Sequence, residues 1–301
     1  MFDVAAILIN YNSSRYTLNC IESILDKTAN TIKLQIIVID NASKFEDLNA
    51  LKKGLRLINN PYLELIESEV NTGFGGGNMI GVQSANAKYL AFINNDTLLN
   101  NDCISILKDF MMHTPDAGVC GPQAFTENGD ILPTIDHFSS LAKTILKRQT
   151  LEFINPKKYP NRKKLYGSPI KGQFVAGSFM FFRSEDFNAI GGFDLNIFLY
   201  HEETDLCKRL LKLSKFAYLV PKAQFTHFHG GSTERSIAIK KELKISLLYV
   251  VKKHYGYFQY AVLLTYLQIT YFFKSLFKPT YWPIFNTLIK GAPLSDSLKH
   301  Q

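Results

Sequence analysis

Three stretches of this chain share one form, and that shared form restricts the fold more than any other feature. Val4–Ile9, Leu34–Ile39 and Tyr89–Ile93 are short runs dominated by apolar residues, and each stops at a polar cluster: Asn10-Tyr11-Asn12, Asp40-Asn41-Ala42-Ser43 and Asn94-Asn95-Asp96-Thr97. A strand that is apolar on both faces must be covered on both, which is the condition of a parallel sheet sandwiched by helices. Between the runs lie helical stretches: one capped by Ser13 or Ser14 and reaching about Leu25, one ending near Leu57, and one over Met79–Ala87, with a weaker strand at Leu63–Ile66. Strand and helix alternate four times by Thr97, and the right-handed crossover rule turns that alternation into a doubly wound sheet. The carboxyl ends of such strands border the ligand crevice, so the polar clusters predict one site.

A carboxylate at a strand end suits a hard cation meeting a phosphate, which makes Asp96 the first candidate metal ligand. The plain alternative is that Asn95, Asp96 and Thr97 form a turn and cap a helix starting near Asn101. The glycine-rich piece Gly73-Phe74-Gly75-Gly76-Gly77-Asn78 is not a dinucleotide fingerprint, because Asn78 stands where the last glycine belongs, and it lacks the Gly-Lys-Ser/Thr of a P-loop. It suits a close approach of helix to sheet, and a helix start with exposed N–H groups suits an anion.

Composition excludes other classes. The 301 residues are 46% hydrophobic and 20% charged, ordinary for a globular protein and not for a disordered or fibrous one. The net charge of +8 and pI near 9.1 point to an anionic partner. The excess is concentrated between Leu141 and Lys171, where Lys143, Lys147, Arg148, Lys157, Lys158, Arg162, Lys163, Lys164 and Lys171 face the single acid Glu152, a run that charge patterning reads as a solvated loop. Cys20, Cys103, Cys120 and Cys207 form no CxxC pair, against a zinc knuckle or disulfide scaffold and in keeping with a reducing cytosol. Asp3 occupies the region where a signal peptide needs a base, so the first apolar run reads as a strand.

The series Ile9-Asn10-Tyr11-Asn12, Ile39-Asp40-Asn41-Ala42-Ser43, Asn71-Thr72-Gly73-Phe74-Gly75-Gly76-Gly77-Asn78 and Asn94-Asn95-Asp96 resembles the nucleotide-sugar half of the inverting family 2 glycosyltransferases, particularly their rhamnosyltransferase-like branch. The resemblance implies a GT-A fold, an α/β architecture with a mostly parallel Rossmann-like sheet flanked by helices. It implies that Asn10, Tyr11, Asn12, Asp40 and Asn41 hold nucleobase and ribose. Asn71, Gly73, Phe74, Gly75, Asn78, Asn94 and Asn95 complete the donor site. Asn94-Asn95-Asp96 stands where the family has its DxD-type motif, with Asn94 in place of the first acid and Asp96 left as the carboxylate for Mg2+ or Mn2+.

The second half extends the resemblance. The apolar strand Phe174–Phe182 contains Gly177 and Ser178, placed with Tyr200 on the acceptor side. Tyr200-His201-Glu202-Glu203-Thr204-Asp205-Leu206 is similar to the family's Tyr-x-Glu-Asp-x-Asp-Leu motif, whose second acid is the general base; that position is Glu203 here, a departure from Asp that leaves Glu202 as the alternative. Read without the family, Asp205 and Arg209 are an ordinary i,i+4 ion pair, yet three acids in four residues at a cleft would raise at least one pKa by mutual repulsion. His227-Phe228-His229-Gly230-Gly231-Ser232 resembles the family's His-x-x-Gly-x-Ser segment, with His227 in register to contact metal or diphosphate and His229 the other candidate.

Residues 1–235 are thus expected to form the catalytic domain, 1–100 its nucleotide-sugar half and 101–235 its acceptor and catalytic half, with 236–301 a helical extension. In that extension Tyr255–Phe273 is uncharged, near bilayer-spanning length but rich in Tyr and interrupted by Gly256, which predicts an amphipathic helix packed on the catalytic domain or lying over anionic lipid. The implied activity moves a sugar such as rhamnose from a UDP- or dTDP-sugar to a glycan or polyprenyl-diphosphate-linked acceptor in cell-surface polysaccharide synthesis, in the cytoplasm or at the inner face of the membrane. Nucleic acid is not an expected partner. The competing reading is a non-catalytic module binding nucleic acid or anionic membrane through its charge, which leaves the acids at 96 and 202–205 without a purpose.

Overall fold

The computed structural model describes residues 1–228 and 236–300. In chain order the first half runs β1 (Phe2–Asn10), α1 (Ser14–Lys27), β2 (Leu34–Asn41), α2 (Phe45–Ile58), β3 (Leu63–Ser68), α3 (Gly73–Ser84), β4 (Ala87–Ile93), β5 (Thr97–Leu99), α4 (Cys103–His113) and β6 (Ala117–Phe125). The second half runs β7 (Ile131–Leu132), β8 (Ile135–Asp136), α5 (Leu141–Ile154), β9 (Ile170–Gly172), β10 (Phe174–Val175), β11 (Phe179–Arg183), α6 (Ser184–Ala189), α7 (Glu202–Lys212), β12 (Phe216–His227), α8 (Ile237–Phe277) and α9 (Trp282–Ile289).

The main sheet has the order β3-β2-β1-β4-β11-β6-β12-β5, and β1 to β4 are mutually parallel where they pair. Side chains alternate between two cores, as the two-residue repeat of a strand requires. Val4, Ala6 and Leu8 of β1 pack with Cys20, Ile21 and Ile24 of α1 on one face. Ala5 and Ile7 pack on the other, in the core that takes Phe187 of α6 and Leu206 and Leu210 of α7. Each such fully buried Ile or Leu contributes about 1.5–3 kcal/mol. All four cysteines are free and buried.

The second half departs from a purely parallel winding. β11 inserts antiparallel between β4 and β6, so its amino end, preceded by Gly177 and Ser178, lies beside the carboxyl end of β4, with Phe179 opposite Ile93. β5 runs antiparallel to β12 and places Thr97 opposite His227. The two strands expected around Pro221 are one, β12, with a register shift between Val220 and Gln224 where the proline cannot donate to the ladder. The helix beyond Asp96 is capped by Asp102, whose Oδ1 accepts the Ser105 N–H at 3.0 Å, so Asn95-Asp96-Thr97 is not its cap.

α8 is broken at Gly256, whose φ of 84° is open to glycine. Its first part lies against the segment that leads into α7, with Ser246 donating to the Leu199 carbonyl at 2.9 Å. Its two parts share a third core with α9, through Ile245, Leu248 and Val251 before the break and Leu263, Leu267 and Tyr271 after it, against Ile284 and Leu288.

Candidate active site

The site is built at the carboxyl ends of β1, β2 and β4, where amide and carboxylate side chains bind one another. Asn10 donates to Asp40 Oδ1 at 2.9 Å and Asp47 Oδ2 at 2.9 Å, and it accepts from Thr17 at 2.7 Å. Asn95 donates to Ser13 Oγ at 2.6 Å and Thr17 Oγ1 at 2.8 Å. Ser13, at the cap position of α1, makes no side-chain cap bond and serves Asn95 instead. Asn10, Asp40 and Asn95 are therefore buried and engaged, forming the floor of the crevice. Tyr11 and Asn12 stand exposed at its rim, and Asn12, at a φ of 53°, accepts the Lys44 N–H at 2.8 Å.

Asn41 fixes the glycine-rich loop. Its oxygen accepts the Thr72 N–H at 3.0 Å and its nitrogen donates to Asn71 Oδ1 at 3.0 Å. At Gly73 the φ is +74° and a Cβ would lie 2.2 Å from the Phe198 carbonyl oxygen, so no side chain fits. Phe74 donates its N–H to that carbonyl at 3.0 Å, Gly75 packs on Phe193, and Asn78 is buried with its amide on the Phe74 carbonyl. Gly73 and Gly75 thus let α3 approach the Phe193–Phe198 segment, and Gly77 lets it approach Ile9 of β1, where a Cβ would lie 2.9 Å from Cδ1.

A chain of contacts then joins the catalytic candidates. Asp96 Oδ1 and His227 Nε2 are 3.1 Å apart, brought together by the β5–β12 pairing, and the Phe228 N–H meets the Asp96 carbonyl at 2.9 Å. The Asn94 N–H donates to the Ser178 carbonyl at 2.9 Å, and next to Ser178 the Gly177 N–H donates to Glu203 Oε1 at 3.0 Å. Glu203 is half-buried, and burial raises its pKa above the usual carboxylate range even though Gly177 favours the ionised form. Tyr200 and His201, at φ of 70° and 71°, are consecutive left-handed residues that deliver the start of α7 to Gly177, strain of the kind that collects at functional sites. His201 is held by Ser139 Oγ at 2.8 Å, and burial pushes its pKa down to about 3.

The other two acids of α7 differ. Glu202 is 4% exposed, its Oε1 has no partner among the described residues, and burial next to Glu203 pushes its pKa well up. Asp205, the third acid of the expected catalytic motif, is bound on both oxygens: His254 Nε2 lies 2.7 Å and Lys253 Nζ 2.6 Å from Oδ1, and Arg209 binds Oδ2, so the carboxylate is held ionised well below its usual range between α7 and α8. His229 and Ser232 lie outside the described residues. A cleft of about 350 Å³ opens beside Asn95, lined by Arg15, Tyr16, Asn19, Thr97, Glu127 and Phe228. The sequence reading missed Arg15 and Tyr16, although both follow directly on the Asn10-Tyr11-Asn12 cluster.

The family model described as Glycosyl transferase family 2 matches residues 5–191, more than half of the chain and all of the strand-end network. The chain belongs to glycosyl transferase family 2. That assignment sets aside the non-catalytic binding module. Within curated family 2 relatives, it is similar to the N-acetylglucosaminyl-diphospho-decaprenol L-rhamnosyltransferase of Mycobacterium tuberculosis, 25% identical over 66% of this chain and 70% of that one. It is also similar to the rhamnosyltransferase WbbL of Escherichia coli K12, 26% identical over 60% of this chain and 71% of the relative.

Solved structures share the GT-A fold. GalNAc-T7 with UDP, GalNAc and Mn2+ superposes with a TM-score of 0.64 at 15% identity, over 84% of this chain and 48% of that one. The mannosyltransferase PcManGT of Pyrobaculum calidifontis, with GDP-Man and Mn2+, gives 0.57 at 13% identity over 100% and 90%. The donor set here fits such an ion: two neighbouring ligand atoms on one octahedral ion are about 3 Å apart, and Asp96 Oδ1 and His227 Nε2 stand at 3.1 Å. The described residues hold no group of three or more His, Cys, Asp or Glu side chains suited to a metal, so remaining ligands would come from substrate phosphate and water.

Proposed function

We propose that this family 2 glycosyltransferase moves a sugar such as rhamnose, with inversion, from a UDP- or dTDP-sugar to a hydroxyl of a glycan or polyprenyl-diphosphate-linked acceptor in cell-surface polysaccharide synthesis. The observation that carries the reading is the run of contacts Asp96–His227, Asn94–Ser178 and Gly177–Glu203, which supports a cation-binding pair and a base carboxylate acting in one site. Asp96 and His227 would hold Mg2+ or Mn2+; a bound ion supplies charge neutralisation for the departing diphosphate. Tyr11, Asn12, Asp40 and Asn41, on the frame set by Asn10 and Asn95, position nucleobase and ribose. Asn71, Gly73, Phe74, Gly75, Asn78 and Asn94 shape the wall against the donor's sugar and phosphates. Glu203 takes the proton from the acceptor hydroxyl, and that oxygen attacks the anomeric carbon on the face opposite the leaving nucleoside diphosphate, with Gly177, Ser178 and Tyr200 on the acceptor side. The lower exposure of Glu202, 4%, supports Glu203 over it as the base.

A donor panel assayed for nucleoside diphosphate release identifies the sugar. Asp96→Ala should abolish metal-dependent nucleoside diphosphate binding, read by calorimetry, and keep a cooperative melt. Undiminished Mn2+-dependent binding by that variant would overturn the metal role.

The same reading puts the enzyme at the inner membrane face as a peripheral protein. Among the described residues no helix is long and apolar enough to cross a membrane. In the second part of α8 the inward residues are Leu263, Leu267, Tyr271 and Ser275, while Phe258, Ile269, Phe272, Phe273 and Leu276 face outward and are exposed. An apolar solvent side flanked by Lys274, Lys278 and Lys290 is the composition of a helix that lies in an anionic lipid interface.

A further inference from the structure

Three cations of the basic run after Leu141 do not simply solvate a loop; they fold onto one carboxylate. Lys143 Nζ and Arg148 Nε each lie 3.1 Å from Asp136 Oδ1, Arg148 Nη2 lies 3.0 Å from Oδ2, and Arg162 Nη1 binds that same oxygen. The three cations come from two turns of α5 and from the loop beyond it. Their side chains keep 19%, 33% and 22% of their surface, so each retains an edge open to solvent. One carboxylate against three cations leaves two positive charges uncompensated. Glu152, the run's only acid, is bound instead to buried His137, with Oε1 3.2 Å from Nε2, and forms no ion pair with the three cations among the described residues.

The cluster's place follows from pairing. β8 lies antiparallel to β10 with Asp136 opposite Phe174, and three residues later Gly177 holds Glu203. Asp136 and Lys143 are near enough to Glu203 to act on its charge in opposite directions. From Gly177 the chain leads one way to the cluster and the other way, through Ser178, to Asn94 and Asp96.

We propose that Lys143, Arg148 and Arg162 form an anion site for the diphosphate ester at the lipid-linked end of the acceptor, with Asp136 holding the three cations in place until it binds. Guanidinium forks match phosphate oxygens bidentately, and a lysine adds a point charge, a combination suited to two adjacent phosphates. The position beside the base would set an acceptor sugar's hydroxyl against Glu203. This assignment rests on the acceptor reading above, but its test does not.

The full-length protein, saturated with nucleoside diphosphate and Mn2+ so that the donor site is filled, is titrated with farnesyl diphosphate, inorganic pyrophosphate and farnesol. The parent should bind farnesyl diphosphate more tightly than pyrophosphate, and Arg148→Gln/Arg162→Gln should weaken it about tenfold or more, with nucleoside diphosphate affinity unchanged. Lys164→Gln, a charge control outside the cluster, should bind like the parent. Equal affinity of parent and double variant would overturn the site, as would a Lys164→Gln loss matching it. Equal binding of pyrophosphate and farnesyl diphosphate would overturn the lipid-linked source, and equal binding of farnesol would overturn the anion chemistry. Absence of sugar transfer with the cluster-dependent binding intact would count against the enzymatic reading and leave the site standing. If the double variant melts early, Arg148→Lys/Arg162→Lys replaces it and should retain part of the affinity.

Discussion

Three carboxylates within one turn of α7 have three different fates. Glu203 stays half-open, bound by one backbone N–H, with its pKa raised by burial. Glu203→Gln should lower transfer by roughly 10²-fold or more while nucleoside diphosphate affinity stays at the parental level; near-parental turnover together with an inactive Glu202→Gln would move the base to Glu202. Glu202 has a folded pKa raised well above its unfolded value, so above the unfolded pKa the native state binds the extra proton and stability falls as pH rises. Glu202→Gln should therefore raise Tm at pH 8 and leave it little changed at pH 4, and an equal shift at both would contradict burial of an ionisable group. Asp205 has the opposite sign. Its depressed pKa contributes stability above the unfolded value that is lost as pH falls through the folded one, and breaking so buried a cluster costs about 3–5 kcal/mol. Asp205→Asn should melt far earlier at pH 7 by calorimetry, with the difference shrinking toward pH 2, yet keep kcat per folded molecule.

At the scale of elements, the site depends on how closely helices approach strands. α3 lies on β1 and β2 through glycines: a Cβ on Gly81 would sit 2.7 Å from both Ile39 Cδ1 and Ile7 Cγ2. Gly81→Ala should destabilise by about 1–3 kcal/mol, measured by urea denaturation, whereas Gly167→Ala, with nothing within 4 Å, should not shift the midpoint. The antiparallel β11 has the larger functional effect, because reversing its direction is what sets Gly177 and Ser178 beside Asn94. β5 does the same for Asp96 and His227.

For the whole molecule, the first part of α8 is fixed to α7 and the segment that leads into it through Ser246, Lys253 and His254, while the second presents an apolar face outward. Phe272→Ser/Phe273→Ser should weaken sedimentation with vesicles containing anionic lipid by roughly tenfold without altering the melt, and unchanged binding would leave that face without a membrane role. The sequence by itself determined the alternating strand and helix order, the apolar character of the strands and the ends at which polar residues collect, because these are local: they follow from periodicity and chain length. It located the break at Gly256 for the same reason. Only the tertiary structure decided which side chains are spent on each other, as Asn10, Asp40 and Asn95 are, how differently the three acids of α7 are partnered, and that Lys143, Arg148 and Arg162 close on Asp136. Those outcomes depend on contacts between residues far apart in the chain, and neither hydrophobic period nor charge counting reports on such contacts.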